Sequence, residues 1–247
     1  PGLLAVLRRI EAAGHVETAR RAKQHVSRIY RFAIAAGRAT TNPAAGLEEA
    51  LAARRATEHF AAIIEPARLG ALLPAIDAFD GTAPVRAALK LAPFVFVRPG
   101  ELRRAEWAEI DLETTTWEIP AHKMKTGRPH VVPLAAQAVA ILRELAPSTG
   151  AGRYVFPGAR TSKRPMSENT LAAGLRRLGY GTGEVTIHGL RATARTLLDE
   201  VLSYRADIIE HQLAHAVHDA NGRAYNRTSF LAERTTMMQA WADYVRA

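Results

Sequence analysis

Six side chains have the types that could break and rejoin a phosphodiester without a metal ion. They are two arginines, a lysine, two histidines and a tyrosine: Arg98, Lys125, His188, Arg191, His215 and Tyr225. The transition state of such a reaction spreads negative charge over the non-bridging oxygens, and cationic donors stabilise that charge. A phenolic oxygen can serve as the nucleophile. The sequence therefore predicts that Tyr225 attacks a phosphodiester that the basic side chains hold.

The individual roles follow from the chemistry of each residue type. A planar guanidinium stays charged and can donate to two oxygens at once, so Arg98 and Arg191 are the candidates for phosphate binding. His188 lies three residues before Arg191, which would place both side chains on one helix face. Either His188 or His215 could accept the phenolic proton or orient the phosphate. Lys125, in a tight Lys-Thr-Gly-Arg turn, is the candidate proton donor to the departing sugar oxygen.

The composition gives no support for a metal site or a bound cofactor. The chain has no cysteine, so thiolate ligands and disulfides are excluded. The acidic residues do not cluster in the pairs that a two-metal nuclease needs. Glycine-rich phosphate-binding loops are also missing from the sequence. We therefore expect the reaction to need neither a metal nor a cofactor.

The charge distribution points to a polyanionic partner. The net charge is +9, and residues 1–57 contribute +6 of it through ten basic and four acidic side chains. Phosphate contacts of this kind give affinity without sequence information. A solvated basic surface explains the charge alone equally well. The candidates for contacts with the DNA backbone are Arg20, Arg21, Lys23, Arg28, Arg31, Lys123 and Arg128.

Length and hydropathy limit the remaining possibilities. A chain of 247 residues is long enough for one or two domains with a sizeable core. No apolar run approaches the roughly 18 residues that span a bilayer, and no signal peptide is visible. The lack of cysteine is typical of a reducing compartment, so we expect a cytoplasmic protein that needs no membrane partner. The chain begins with Pro1 rather than Met, which indicates a missing N-terminal part.

Apolar spacing predicts a helical first domain. Residues 18–36 have helical periodicity, and Gly37 is a plausible C-cap. A short helix is predicted over 46–55, and residues 52–60 read as a linker. We place the domain boundary near residue 57, which gives a first domain over 1–57 and a second over 58–247.

The second domain is predicted to be mainly helical. Two short runs of apolar or β-branched residues, 116–120 and 130–133, flank the Lys-Thr-Gly-Arg turn and predict a hairpin. Pro, Gly and Ser cluster at 147–152 and 157–167, which we interpret as loops. The expected fold class is mainly α with one small antiparallel β-sheet. Helices are predicted over 66–76, 84–97, 99–109, 135–146, 167–178, 186–201, 205–213 and 227–246.

Several blocks of the sequence resemble the tyrosine recombinases, in particular phage-type integrases of satellite prophages and genomic islands. The resemblance covers essentially the whole chain. It rests on F-V-R-P-G-E-L at 96–102, M-K-T-G-R-P-H-V-V-P-L at 124–134, H-G-L-R-A-T-A-R-T-L-L-D-E at 188–200, I-E-H-Q-L-A-H at 209–215, A-Y-N-R at 224–227 and M-M-Q-A-W-A-D-Y at 237–244.

This resemblance implies a helical core-DNA-binding domain, here only its C-terminal part, followed by a tyrosine-recombinase catalytic domain. It assigns catalysis to the same six residues, with Tyr225 forming a 3′-phosphotyrosyl link to DNA. It implies double-stranded attachment sites as substrate and a homotetramer on DNA in a bacterial nucleoid. A DNA-bending accessory protein and an excisionase are further implied partners. Such sequences often have a small polar residue where this chain has Arg195.

The apolar face of the C-terminal helix has two interpretations. Residues such as Met237 and Trp241 could pack on the core of their own chain, or the segment could dock on a neighbouring subunit, as the resemblance allows.

Three other functions compete with recombination. His211 and His215 have the spacing of a zinc-peptidase pair, but Gln212 stands where the general base would be required and cannot accept a proton. A DNA-binding protein that has lost catalysis would keep the basic first domain but should lack at least one catalytic residue. A type IB topoisomerase shares the chemistry, although the blocks around the site favour an integrase.

Overall fold

The computed structural model describes residues 2–53, 60–215 and 230–246. The chain divides into two compact units, Pro1–His59 and Phe60–Ala247. Tyr225 and the predicted helix start at 227 lie outside the described residues. No helix in the described part of the chain is long and apolar enough to cross a membrane.

The described part of the first unit, residues 2–53, contains the helices α1 (Leu3–Ala12) and α2 (Val16–Ala35). The predicted glycine cap of α2 is confirmed. Gly37 has a φ of +69°, and its N–H donates to the Ile34 carbonyl at 3.0 Å. The Arg38 N–H donates to the Ala33 carbonyl at 2.8 Å, which completes a Schellman motif.

The prediction of a helix over 46–55 is wrong for residues 46–53, which are the ones that the structure describes. Residues 43–50 form hydrogen-bonded turns instead, and residues 54–55 are not described. Gly46 has a φ of +73°, which is incompatible with a right-handed helix. The backbone of Ala52 is held by side chains of the first two helices. Its N–H donates to Glu11 at 2.8 Å, and its carbonyl accepts from Arg20 at 2.6 Å.

The second unit is built around one buried helix, α4. This helix packs against six others of the unit, and the nearly continuous run of buried apolar residues in its second half accounts for that position. The helices of this unit are α3 (Pro66–Asp77), α4 (Ala83–Val95), α5 (Pro99–Arg103), α6 (Ala136–Thr149), α7 (Thr170–Arg177), α8 (Gly189–Glu200), α9 (Ala206–Gln212) and α10 (Leu231–Tyr244).

The predicted hairpin is present as part of a three-stranded antiparallel sheet. Strands β2 (Thr116–Ile119) and β3 (His130–Pro133) pair with Trp117 opposite Val132, and β1 (Ile110–Asp111) adds to the other edge of β2. In β2, Trp117 and Ile119 point into the core and alternate with more exposed residues. The connection between β2 and β3 includes a 3-10 turn at Ala121–Lys123.

A second hairpin lies where a loop was predicted, so the expectation of a single sheet is wrong. It pairs β4 (Pro157–Gly158) with β5 (Thr161–Pro165). Most side chains of β5 are exposed, so the strand has no apolar alternation that the sequence could reveal. The fold class is nevertheless as predicted, mainly α with small antiparallel sheets.

Helix ends near the predicted site also differ from expectation. The helix predicted over 99–109 stops at Arg103, because the chain turns to pair with the segment around Tyr154. There the Val155 N–H donates to the Ala105 carbonyl at 3.0 Å. His188 is the N-cap of α8, and α9 ends before His215 is reached. His188, which the sequence predicted to lie inside a helix, is therefore the residue before its first turn, and His215 lies beyond the end of α9.

The apolar face of α10 packs on the core of its own chain. Met237, Met238 and Trp241 are fully buried, and the Trp241 indole N–H donates to the Pro93 carbonyl at 2.8 Å. Of the two interpretations of this apolar face, the structure therefore supports packing on the core of the same chain.

Candidate active site

The first element of the site is the start of α5, where Glu101 holds Arg98. One carboxylate oxygen of Glu101 accepts from the Arg98 backbone N–H at 2.8 Å, and the other accepts from its guanidinium at 3.0 Å. Glu101 is buried, with 4% of its surface exposed. Pro99 at the first helical position has a φ that suits a helix start. Glu101 therefore acts both as a helix-start carboxylate and as the group that orients Arg98.

Arg191 is the most enclosed cation of the site. Its guanidinium donates to the carbonyls of Phe96 and Leu213, the latter at 2.7 Å. Phe96 ends α4 with a φ of +54°, a conformation that few non-glycine residues adopt. Burial and then the charge of Arg98 lower the pKa of Arg191 to about 10, so the side chain stays charged at neutral pH. Hydrogen bonds to two backbone carbonyls thus fix the orientation of the charged Arg191 guanidinium.

His188 packs its ring on Phe60, with the two ring centroids 4.4 Å apart. Burial lowers the pKa of His188 below its ordinary value, and the charges of Arg191 and Arg98 lower it further. The exposed Lys125 also contributes to this lowering of the pKa, so its charge acts on the same region. His188 is therefore neutral at neutral pH and can accept a proton.

A close backbone approach positions the start of α8. A Cβ on Gly189 would lie 1.9 Å from the Ala61 carbonyl oxygen, so a glycine is required there. The Gly189 N–H donates to the Thr186 hydroxyl at 2.8 Å, which satisfies a free N–H of the first turn. Nothing in the sequence pattern indicated this role of the glycine that follows His188.

His215 follows α9 through a left-handed residue, Ala214, with a φ of +52°. The His215 N–H donates back to the Glu210 carbonyl at 3.0 Å. Its imidazole Nε2 lies 3.2 Å from the Arg191 guanidinium, and its Nδ1 lies 2.5 Å from the Glu210 carboxylate. The structure thus brings His215, Arg191, His188 and Arg98 together, whereas the sequence missed Glu210.

Lys123 does not serve the DNA-binding role that the sequence assigned to it. Its side chain is half-buried, and its ammonium pairs with Glu106 at 2.7 Å and with Glu109. It also donates to the Arg104 carbonyl at 3.0 Å. Hydrogen bonds from Arg153 and Lys123 lower the pKa of Glu106 to about 2 although burial opposes this, so Glu106 is ionised at neutral pH. Lys123 therefore anchors the β2–β3 connection.

The other DNA-binding candidates fall into two groups. Lys23 is buried and pairs with Glu48, so its assignment to a DNA-contacting surface is also wrong. Arg20 is half-buried and donates to a backbone carbonyl. The remaining candidates are exposed: Arg21, Arg28, Arg31 and Arg128.

A buried polar cluster beside the site was not visible in the sequence. Arg234 on α10 donates to the Gln212 side chain at 2.8 Å and to the Val131 carbonyl. The His130 ring lies 3.1 Å from the Gln212 carbonyl. Burial and then the charge of Arg234 lower the pKa of His130 to about 3, so the ring is neutral and donates this hydrogen bond. The cluster ties α10 and α9 to β3.

The histidine pair of the zinc-peptidase alternative does not share a helix face. His211 is in α9 with its ring against Phe230, whereas His215 lies beyond the helix end. Among the residues that the structure describes, no three His, Asp or Glu side chains converge as metal ligands would.

Comparison with known sequences assigns both units. The pattern of the phage integrase family matches residues 63–231, and that of the phage integrase central domain matches residues 1–50. The chain is 37% identical to the integrase of Enterobacteria phage P4, over 98% of this chain and 58% of that protein. It is also 37% identical to the prophage integrase IntZ of Escherichia coli K12, over 98% of this chain and 59% of that protein. The chain thus spans little more than half the length of these curated relatives.

Solved structures show the same fold. A dimer of lambda integrase residues 75–356 bound to a COC′ core site matches with a TM-score of 0.65 and 20% identity, covering 87% of this chain and 78% of that one. The lambda integrase tetramer bound to a Holliday junction matches with a TM-score of 0.64 and 20% identity. The match covers 92% of this chain and 66% of that one. The helices around α4 and the small sheets therefore form an integrase-type fold. The chain belongs to the phage integrase family, which confirms the resemblance drawn from the sequence blocks.

Proposed function

We propose that this chain is the core of a site-specific tyrosine recombinase that integrates or excises a mobile DNA element. The observation that carries the proposal is the contact of Arg191 with His215, beside His188 and Arg98, in a chain of the phage integrase family. A pair of oriented arginines with a neutral histidine is the environment that a phosphodiester needs for nucleophilic attack.

In the first step, Tyr225 attacks the scissile phosphate of a double-stranded attachment site. Arg98 and Arg191 stabilise the negative charge on the non-bridging oxygens. The phenolic proton passes to His188 or His215, the phosphorus–O5′ bond breaks, and Lys125 supplies a proton to the departing oxygen. The product is a 3′-phosphotyrosyl ester and a free 5′-hydroxyl.

The second step reverses the first with a different strand. A 5′-hydroxyl from the partner duplex attacks the phosphotyrosyl ester and releases Tyr225. The ester keeps the energy of the broken bond, so the cycle needs neither ATP nor a metal ion. Two such exchanges through a Holliday junction recombine the duplexes.

The domain division and the partners belong to the same proposal. Residues 1–57 are the C-terminal part of a core-DNA-binding domain, and residues 58–247 are the catalytic domain. Exposed arginines on α2 and beside the Lys125 turn contact the DNA backbone, namely Arg21, Arg28, Arg31 and Arg128. The lambda integrase tetramer on a Holliday junction supports a homotetramer on DNA. A DNA-bending accessory protein and an excisionase complete the partners.

Covalent capture from a random pool tests the proposal whatever the sequence of the attachment site. The chain is incubated in EDTA with a pool of nicked duplexes that have a randomised centre, and denaturation-resistant adducts are isolated and sequenced. The nick lets the short cleaved strand diffuse away, so the covalent complex accumulates. Tyr225→Phe is the matched control, because it removes only the nucleophilic oxygen.

The expected result is an adduct that forms with the wild-type chain, enriches one sequence and is missing with Tyr225→Phe. DNA binding without any adduct would overturn the proposal in favour of a DNA-binding protein that lacks catalysis. An adduct that survives Tyr225→Phe would overturn the assignment of the nucleophile.

A further inference from the structure

The hydrogen bonds of His215 determine which of its ring nitrogens carries the proton. An arginine guanidinium is always a donor, so Nε2, at 3.2 Å from Arg191, accepts a hydrogen bond. The other nitrogen, Nδ1, lies 2.5 Å from a carboxylate oxygen of Glu210. An ionised carboxylate only accepts, so Nδ1 carries the hydrogen and donates it. The neutral ring thus has its basic nitrogen on the side of Arg191.

The carboxylate of Glu210 is itself held in place. Its second oxygen accepts from the Arg195 guanidinium at 2.7 Å. Burial raises the pKa of Glu210, but the hydrogen bonds from His215 and Arg195 outweigh this effect and leave the pKa below its ordinary value. The group is therefore ionised at neutral pH. Arg195 stands where similar sequences often have a small polar residue, and here its side chain binds the carboxylate of Glu210.

Helix α8 supplies the first and the last residue of the series of contacts from Arg191 through His215 and Glu210 to Arg195. Arg191 and Arg195 are four residues apart and so share one face of the helix. Arg191 contacts Nε2 of His215, and Arg195 contacts the far oxygen of Glu210. The left-handed conformation of Ala214 folds the chain back over α9, so that the His215 ring meets the carboxylate of its own helix. Glu210 thus lies between the guanidinium of Arg195 and the ring of His215.

We propose that Glu210 is a positioning residue for His215 and that Arg195 holds Glu210 in place. This inference rests on the proposed function. Glu210 fixes the Nδ1–H tautomer, directs Nε2 to the region of Arg191, and stabilises the imidazolium that forms when Nε2 takes up a proton. A carboxylate behind a histidine raises the basicity of the far nitrogen and fixes the ring in one orientation.

The first test measures the tautomer in the free protein, so it does not depend on recombination. Nitrogen-15 NMR of histidine-labelled protein distinguishes a protonated Nδ1 from a protonated Nε2. We expect the Nδ1–H form for His215 in the wild-type chain and in Glu210→Gln, which keeps an acceptor oxygen. Glu210→Ala should give a mixture of tautomers. A wild-type ring with its hydrogen on Nε2 would overturn the inference.

The second test separates positioning from general damage to the structure. Glu210→Ala should slow adduct formation by about tenfold to a hundredfold, a part of the 10²–10⁴-fold that a general base contributes. Affinity for a non-specific duplex should be unchanged or higher, because a negative charge is removed. Glu210→Gln should keep part of the rate. Glu200→Gln, which neutralises an exposed carboxylate at the end of α8, is the control and should leave the rate unchanged.

The outcomes also distinguish this inference from the proposed function. If the wild-type chain forms no adduct, the proposed function fails, and the NMR measurement still decides the tautomer. If the wild-type chain forms the adduct and Glu210→Ala forms it equally fast, the positioning role of Glu210 fails while the proposed function stands. A parallel loss of rate, duplex affinity and thermal stability would also contradict positioning.

Discussion

The guanidinium of Arg191 lies 3.2 Å from Nε2 of His215, and the same guanidinium donates to the Leu213 carbonyl two residues earlier. One side chain from α8 therefore fixes both the backbone and the ring of the turn that follows α9. The carbonyl of Phe96, at the end of α4, holds the other side of the guanidinium. The site is thus assembled at the meeting point of three elements that are far apart in the sequence.

Arg191→Lys should therefore reduce both the rate of DNA cleavage and the stability of the fold. A lysine keeps the charge but cannot donate to two carbonyls and a histidine in the geometry of a guanidinium. We expect a fall in the rate of adduct formation of about 10²–10³-fold. Unsatisfied buried carbonyls should lower the free energy of unfolding by about 1–3 kcal/mol. Capture kinetics and urea denaturation measure the two effects, and a lysine variant with near wild-type cleavage would contradict this account of Arg191.

The stability of the protein should fall on mild acidification because of His130. Its pKa is about 3 in the folded chain, against an ordinary value near 6.5, so the stabilising effect of the neutral ring is complete above pH 6.5. That effect is lost as the pH falls towards 3, by about 1.4 kcal/mol per pH unit at most. Urea denaturation between pH 7.5 and pH 4 measures the slope.

His130→Gln keeps a donor for the Gln212 carbonyl but cannot titrate, so its stability should fall less steeply with acid than that of the wild type. His122→Gln changes an exposed histidine and is the control with an unchanged slope. Equal slopes for the wild type and His130→Gln would show that another group dominates acid sensitivity.

A methyl group at Gly189 should be poorly tolerated. It would meet the Ala61 carbonyl oxygen at 1.9 Å, so the start of α8 or the segment around Ala61 must move. Overpacking of this kind costs about 1–3 kcal/mol, and it should also displace His188 and slow cleavage. Gly183→Ala, where a Cβ would have nothing within 4 Å, is the matched control for both thermal stability and rate. Gly189→Ala with wild-type stability would refute the close approach.

The two lysines of the β2–β3 connection should behave in opposite ways. Lys123→Met removes the partner of two half-buried carboxylates and should destabilise the chain by about 1–3 kcal/mol. Lys125→Ala changes an exposed side chain, so it should leave stability unchanged and slow cleavage. If Lys125 protonates the leaving oxygen, a substrate with sulfur at that bridging position should restore the rate, because a thiolate leaves without a proton. A sulfur substrate that fails to rescue Lys125→Ala would exclude this role.

The sequence predicted those elements that carry a local apolar pattern. Helical spacing of apolar residues predicted α2, runs of apolar or β-branched residues predicted the β2–β3 hairpin, and both are present. The β4–β5 hairpin was missed because its exposed strand has no apolar pattern. The predicted helix after Gly46 was wrong because a left-handed glycine and side-chain contacts from other helices determine that segment.

The same distinction applies to the site. Residue types pointed to Arg98, His188, Arg191 and His215, since their chemistry is visible in the sequence. The supporting residue Glu210 was missed because its role depends on where the chain folds. Ala214 adopts a left-handed conformation without being a glycine, so nothing in the sequence indicated that His215 turns back towards Glu210. Lys23 and Lys123 looked like surface cations, and only the structure shows that Lys23 is buried, that Lys123 is half-buried and that each pairs with a carboxylate.

The most direct test of the central claim is to identify the amino acid that becomes attached to DNA. The captured adduct is digested with protease and nuclease, and the nucleotide-bearing peptide is sequenced by mass spectrometry. The proposed function predicts a single 3′-nucleotide on the oxygen of Tyr225. A nucleotide on any other residue, or cleaved DNA without a protein-linked nucleotide, would contradict it.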